Sequence, residues 1–159
     1  MEELFRVAEE YGIDVEDVLI NAIRSKSSDP SETIRLRIEL AKKYMAESRE
    51  YLGRGDATQA SEKAYKAAEE VVKALAERYN LPEHQQAMKE GRWYTHQLGS
   101  AVNRLAKMLG EWVMNGWTSA YFLHVWGFHE AKLTVNDITS YIGEVEKLVN
   151  EAERALTLK

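Results

Sequence analysis

The sequence predicts an all-α protein, an antiparallel bundle of four to five long helices with a short helical hairpin in front. Apolar residues recur at intervals of three and four along most of the chain, which is typical of amphipathic helices. Charged residues make up 30% of the composition and there are only two prolines, which suits long helices with solvent-facing sides. No stretch alternates apolar and polar residues as a half-buried strand does.

The chain length and composition predict one cytoplasmic domain. A chain of 159 residues fits a single core, so we expect one HEPN-like unit over residues 1–159, with a hairpin at 1–26 and a bundle at 30–158. The N-terminus carries early acids and is not a signal peptide, and no apolar run reaches the roughly 18 residues of a spanning helix, so no membrane partner is expected. Without cysteine the chain has no disulfides or thiolate metal sites, and its net charge of −5 argues against non-specific coating of nucleic acid.

The first two helices form the predicted hairpin. The first has an apolar stripe that consists of Leu4, Val7, Ala8 and Tyr11. After Gly12, Asp14 is a candidate N-cap for the second helix. The residues expected on the inner side of that helix are Val15, Val18, Leu19, Ala22 and Ile23. The polar segment at residues 25–33, SKSSDPSET, then marks the clearest break in the chain.

Two long helices are predicted to meet at the GRGD turn, residues 53–56, where glycines end one helix and Asp56 caps the next. The short turn makes this pair antiparallel, and the second helix, to about Tyr79, is rich in alanine. Residues 83–97 are predicted as a loop or a broken helix, because Gly91 interrupts them. The next helix is expected to include Trp112 and to end at Gly116.

The following segment, WTSAYFLHVWGF, is apolar on nearly every side and is expected to be buried. Thr134 or Asn136 is the candidate cap of the last helix. The inward residues predicted for that helix are Ile138, Ile142, Val145, Val149, Ala152 and Leu156.

The stretch ELAKKYMAESREYLGRGDATQASEKAYKAAEEVVKALAERYNL resembles the HEPN superfamily, the "higher eukaryotes and prokaryotes nucleotide-binding" bundles. Together with YGIDVEDVLINAI before it and LHVWGFHE after it, the chain is most similar to the archaeal PaREP family, first type. The resemblance implies a helical bundle that is frequently a dimer. Some HEPN relatives are ribonucleases whose paired arginine and histidine are separated by four to six residues, and others are non-catalytic partners of nucleotidyltransferases.

The chain departs from the ribonuclease pattern. Its nearest equivalent is Arg92 in GRWYTH, where three residues separate it from His96 and Trp93 stands where the nucleases commonly have a polar residue. Arg104 has no histidine close after it. No residue is therefore assigned as catalytic, and we lean away from an enzyme. A metal-independent ribonuclease that uses Arg92 and His96 stays an alternative.

The side chains best suited to a binding site are concentrated in residues 84–129. This segment contains all four histidines, all four tryptophans and eight of the 15 aromatic residues. Aromatic faces beside an arginine suit a nucleotide or RNA, since they supply stacking surfaces and phosphate donors. The candidate ligand-binding residues are Arg92, Trp93, His96 and His124. If His96 and His124 converge beside Arg92, an anion should bind more tightly below about pH 6.5, where histidine gains its proton.

Structural roles compete with these assignments. Trp112 and Trp117 stand at bundle positions and are expected in the core, and His124 shares a helical face with Trp117, which is typical of an interior histidine. No metal or cofactor site is predicted, because His124 and His129 would lie roughly 140° apart around an α-helix. HExxH and glycine-rich phosphate motifs are missing from the sequence.

The sequence thus favours a non-catalytic interaction module, a homodimer that binds a protein partner, a nucleotide or RNA, or both. The alternatives are the ribonuclease and a purely structural dimer.

Overall fold

The computed structural model describes residues 1–157, and every regular element in that range is a helix. In chain order the elements are α1 (Glu2–Glu10), α2 (Val15–Lys26), α3 (Glu32–Gly53), α4 (Ala57–Arg78), α5 (Pro82–Glu90), α6 (Thr95–Leu109), α7 (Glu111–Phe122), a π-helix (Leu123–His129) and α8 (Val135–Thr157). The predicted all-α class is confirmed. The predicted end of the bundle at residue 158 lies outside the described residues.

Helices α3 and α4 meet at the predicted GRGD turn. Gly55 has φ +80°, a left-handed conformation that glycine adopts without strain, and Asp56 accepts the Gln59 N–H at 3.0 Å as the N-cap of α4. Both helices contain 22 residues, and α8, with 23, is one residue longer than either. Two long helices therefore meet at this turn as predicted.

Helix α4 is the central helix of the bundle. It contacts α3, α5, α6, α7, the π-helix and α8, and 13 of its 22 residues are buried. Six of those buried residues are alanines that are fully inaccessible: Ala60, Ala64, Ala67, Ala68, Ala74 and Ala76. Small side chains let the neighbouring helices approach closely, so the alanine-rich pattern that predicted this helix also explains its central position.

The predicted orientation of the hairpin is wrong. Asp14 does cap α2, because its carboxylate accepts the Asp17 N–H at 3.0 Å. The outward residues of α2, however, include Val18 and Leu19, which are more than half exposed, while Asp17 and Ile20 are buried. No residue of α1 is buried. The hairpin therefore packs on the bundle with the mainly polar side of α2.

The predicted break at Gly116 is also wrong. The chain breaks at Gly110, which has φ +129°, so Trp112 lies at the start of α7. Gly116 is buried inside α7, where an added Cβ would come within 2.5 Å of the Leu148 Cβ on α8. This glycine therefore permits a close helix–helix contact and does not end a helix.

The last helix follows the prediction. Thr134 is the cap, since its N–H donates to the Asp137 carboxylate at 2.8 Å and its hydroxyl does so at 2.9 Å. All the predicted inward residues of α8 are buried except Leu156, which is half-buried. None of the helices in the described part of the chain has an apolar stretch sufficient to span a lipid bilayer.

Candidate functional site

Residues Leu123–His129 form a π-helix that continues directly from α7. In a π-helix the hydrogen bonds join residues five apart, and the Glu130 N–H donates in this way to the Val125 carbonyl at 2.8 Å. Residues five apart are thereby placed one above the other on the same side. The prediction that His124 and His129 face different directions assumed an α-helix and is wrong.

The two histidines form a chain of polar contacts with a carboxylate of α4. Nδ1 of His124 lies 2.9 Å from Oε1 of Glu62, and Nε2 of His124 lies 3.1 Å from Nε2 of His129. Because a carboxylate accepts hydrogen bonds, Nδ1 of His124 carries the proton in this arrangement. The side chains of His124 and Glu62 are 20% and 16% exposed, whereas His129 is exposed, so the chain runs from the bundle to solvent.

Tyr65 of α4 packs against one face of the His124 ring. The two rings are stacked with centroids 3.8 Å apart and an angle of 18° between their planes. Trp117 and Tyr121 contact the same tyrosine, at centroid distances of 5.7 and 6.4 Å. Burial raises the pKa of Tyr65, and the negative charges of nearby glutamates raise it further, so its hydroxyl stays protonated. These contacts fix the plane of the His124 ring.

Gly127 allows the π-helix to lie against α4. An added Cβ at this position would be 2.2 Å from Oγ and 2.6 Å from Cβ of Ser61, both far below van der Waals contact. Ser61 is fully buried and is followed directly by Glu62. The absence of a side chain at residue 127 therefore brings the two histidines close to their carboxylate.

Arg92 lies in the loop between α5 and α6 and His96 lies in the first turn of α6, and both contact the Tyr94 ring. The loop begins at Gly91, whose left-handed φ of +78° ends α5. The Arg92 guanidinium stands 4.2 Å above the centre of the Tyr94 ring, and the His96 ring stacks at 5.7 Å from the same ring. Arg92, Tyr94 and His96 are exposed, while Trp93 is half-buried against the core.

The structure thus places the four predicted site residues in two groups. Within residues 1–157, no hydrogen bond or ring contact joins His124 to Arg92 or His96.

A cluster of buried charges under the hairpin was not predicted. The Arg37 side chain is 1% exposed, and its Nη1 donates to Asp17 at 2.6 Å and to Glu70 at 2.8 Å. Lys73, whose side chain is 3% exposed, donates to Asp17 at 2.9 Å. Burial lowers the pKa of Lys73, but the charges of Glu70 and Asp17 outweigh this effect and hold the pKa above its usual range. The sequence signal was Arg37 itself, a charge three residues after Ile34 on an apolar stripe.

Comparison with known proteins identifies relatives over most of the chain. A crystal structure of a protein from Sulfolobus solfataricus is similar, with a TM-score of 0.68, 38% identity, and coverage of 73% of this chain and 95% of that protein. A solution structure of the same target gives a TM-score of 0.64 and 38% identity over 73% of this chain and 90% of that one. No curated protein matches the chain.

Residues 36–149 match the archaeal PaREP1/PaREP8 family, a range that begins inside α3 and includes the π-helix but not the hairpin. The wider resemblance to HEPN bundles stays a prediction. With more than half of the chain inside the match and a relative of 38% identity, the chain belongs to the archaeal PaREP1/PaREP8 family.

Proposed function

We propose that this protein is a non-catalytic interaction module that forms a homodimer through the hairpin surface, the exposed apolar side chains of α1, α2 and their connection. The observation that carries the proposal is that most of the exposed large apolar side chains lie in this part of the molecule. Of the 14 large apolar side chains that are exposed within the described residues, eight belong to the hairpin: Met1, Leu4, Phe5, Tyr11, Ile13, Val18, Leu19 and Ile23. A concentration of exposed apolar side chains in one part of a protein is typical of an interaction site.

The way the hairpin is anchored supports this role. Arg24 donates to Glu77 at 2.7 Å, Tyr44 donates to Glu16 at 2.7 Å, and Asp17 joins the buried charges beside Arg37. These polar contacts and Ile20 occupy the inner side of α2, so Val18, Leu19 and Ile23 point away from the bundle. An amphipathic element that uses its polar side to hold the molecule together leaves its apolar side for another protein.

We propose that a second copy of this chain covers the hairpin surface. Two-fold dimers use the same patch on both subunits, so a single self-complementary apolar surface is sufficient. Such an interface typically buries roughly 1,200–2,000 Å² in total. The hairpin carries seven acids against three bases, so the charges of two copies oppose association. A dimer made by apolar contact should therefore become tighter as salt screens that repulsion.

Light scattering coupled to gel filtration tests the dimer on the full chain. We expect a mass near twice the 18.2 kDa of one chain for the wild type. Leu4→Glu and Leu19→Glu should shift it toward one chain, because both residues are more than half exposed on the hairpin surface. Met108→Glu, at an exposed position of α6, is the matched control and should leave the mass unchanged. A monomeric wild type at high concentration would contradict the proposal.

A second function, the binding of a nucleotide or a short RNA, is favoured by the exposed stack of Arg92, Tyr94 and His96. It combines a guanidinium with two ring faces, which are the groups that bind phosphates and unstacked bases. Titration with AMP and with a short single-stranded RNA, above and below pH 6.5, should give tighter binding at the lower pH. Arg92→Ala and His124→Ala separate the two groups of candidate residues.

The outcomes of this titration distinguish the remaining alternatives. Binding that is lost in Arg92→Ala supports the stack as the ligand site. RNA cleavage that is lost in Arg92→Ala would support the ribonuclease instead. If the wild type binds neither probe and still dimerises, the purely structural dimer is the better description.

A further inference from the structure

Two imidazole nitrogens lie 3.1 Å apart at the solvent edge of the π-helix. We propose that His124 and His129 chelate a divalent transition metal of the Zn²⁺, Co²⁺ or Ni²⁺ type through their Nε2 atoms, with Glu62 as the carboxylate that orients His124. The proposal rests on the Nε2–Nε2 distance of 3.1 Å and on the 2.9 Å contact between Nδ1 of His124 and Glu62.

The spacing of the two nitrogens fits a shared metal ion. Zinc–imidazole bonds are 2.0–2.1 Å long, so two nitrogens at a tetrahedral angle around zinc are about 3.4 Å apart. The two Nε2 atoms must therefore separate by a few tenths of an ångström. One ring must also turn, because the ring centroids are 4.4 Å apart with 77° between the planes, whereas two imidazoles that point at one ion have centroids about 5 Å apart. His129 is exposed and can make this adjustment, whereas His124 is held by its stacking on Tyr65.

Glu62 leaves the correct nitrogen of His124 free to bind a metal. Because the carboxylate accepts the proton of Nδ1, the lone pair of the neutral ring lies on Nε2, the atom that faces His129. A metal-ligating histidine commonly donates its second N–H to a carboxylate in this way, which fixes the ring and makes the ligand more basic. When a metal binds, the proton on Nε2 of neutral His129 moves to its Nδ1, so both Nε2 lone pairs point at the ion.

The donor set defines the class of metal. Imidazole nitrogens favour zinc, nickel, cobalt and copper, whereas magnesium and calcium favour oxygen ligands. The described residues offer no group of three or more metal-ligating side chains. The site therefore holds the ion with two protein ligands, and water or a bound molecule completes the coordination.

Metal titration of the full chain without an affinity tag tests the proposal. Zn²⁺ should bind with one-to-one stoichiometry by calorimetry, and Co²⁺ should give a visible absorption band that Zn²⁺ displaces. His124→Ala and His129→Ala should each weaken binding at least about tenfold, and Glu62→Ala by roughly 10–100-fold, as for other groups that orient a ligand. His84→Ala, a half-buried histidine of α5, is the matched control and should retain the wild-type affinity.

His129→Ala decides the question on its own, because an exposed side chain can be removed without unfolding the bundle. Zn²⁺ should raise the melting temperature of the wild type but not that of His129→Ala, since a ligand stabilises only the folded state that binds it. Wild-type affinity in His129→Ala, or no binding of either metal to the wild type, would overturn the proposal.

Discussion

Gly127→Ala should destabilise the protein through a single identifiable contact. The added Cβ would lie 2.2 Å from Oγ and 2.6 Å from Cβ of Ser61, so the π-helix and α4 must separate by about 1 Å to restore ordinary contact. Overpacking of this kind typically destabilises a protein by about 1–3 kcal/mol. Replacing a helical glycine with alanine stabilises the helix by about 0.5–1 kcal/mol, which offsets part of that loss. We expect a net loss of about 1–2 kcal/mol in the free energy of unfolding.

Ser61→Gly provides the rescue. It removes both clashing atoms, and it breaks no hydrogen bond within the described residues because the Ser61 hydroxyl has no partner there. The double variant should therefore recover most of the loss, which corresponds to a coupling free energy of about 1–3 kcal/mol in a double-mutant cycle. Urea denaturation followed by far-UV circular dichroism measures all four proteins.

Two other glycines serve as controls for the glycine effect itself. Gly99 in α6 and Gly143 in α8 have open space where a Cβ would be, so an alanine at either position should stabilise by about 0.5–1 kcal/mol. If Gly127→Ala is as stable as these controls, or if its effect and that of Ser61→Gly add within about 0.5 kcal/mol, the close contact does not constrain the π-helix.

Three further predictions concern the bundle and its charges. Ala64→Glu and Ala68→Glu place a carboxylate at fully buried positions of α4 and should each lower the free energy of unfolding by more than about 3 kcal/mol, and an unchanged melting temperature would refute the packing. Arg37→Met should cost about 3–5 kcal/mol in urea denaturation, because it removes one of the two cations that pair with the buried carboxylates Asp17 and Glu70, whereas Arg35→Met at an exposed position should be near neutral. Burial raises the pKa of Glu69 to about 7, so the folded state holds this proton more tightly than the unfolded state does. The stability that this protonated carboxyl contributes is fully present below about pH 4.5 and is lost as pH rises through about 7. Glu69→Gln should therefore have a free energy of unfolding on the order of 1–3 kcal/mol above that of the wild type when the pH exceeds 7. In acid the two proteins should be equally stable. A gain that does not vary with pH would contradict this assignment.

The helices were predictable because their signal is local. Apolar spacing, the Asp14 and Asp56 caps and the GRGD turn depend on neighbours within one or two turns, and the structure contains all of them. Glycine, in contrast, has two opposite uses. Gly110 ends a helix by adopting φ +129°, while Gly116 stays helical and admits Leu148, and only the packing of α7 on α8 distinguishes them.

The orientation of α2 was not predictable from its own residues. Its apolar stripe was assigned to the inside because burial of apolar surface usually decides which side of a helix faces the core. Here the inner side carries Asp17, whose partners Arg37 and Lys73 stand 20 and 56 residues away in sequence. A buried charge is stable only with such partners, and the pattern of one helix does not contain them.

The relative position of His124 and His129 was also not predictable from the local sequence pattern. An α-helix puts residues five apart at roughly 140°, and the metal site was rejected on that ground. The π-helix changes the periodicity of seven residues and brings His124 to within 3.1 Å of His129. The sequence does not reveal the role of Gly127 either, because that role is a close contact with Ser61 of another helix.

Both proposed activities depend on α4, but on different parts of it. Ser61, Glu62 and Tyr65, in its first half, position the histidines, whereas Glu70 and Lys73, in its second half, anchor the hairpin. Glu62 and Lys73 are 11 residues apart, which is about 16 Å along a helix of 1.5 Å rise per residue. The two activities should therefore respond independently, because no described contact links the hairpin surface to the π-helix except through a rigid helix. Leu19→Glu should lose the dimer and keep its affinity for Zn²⁺, while His129→Ala should lose that affinity and keep the dimer. A metal affinity that falls together with the dimer mass would instead place the histidines at the interface between the two copies.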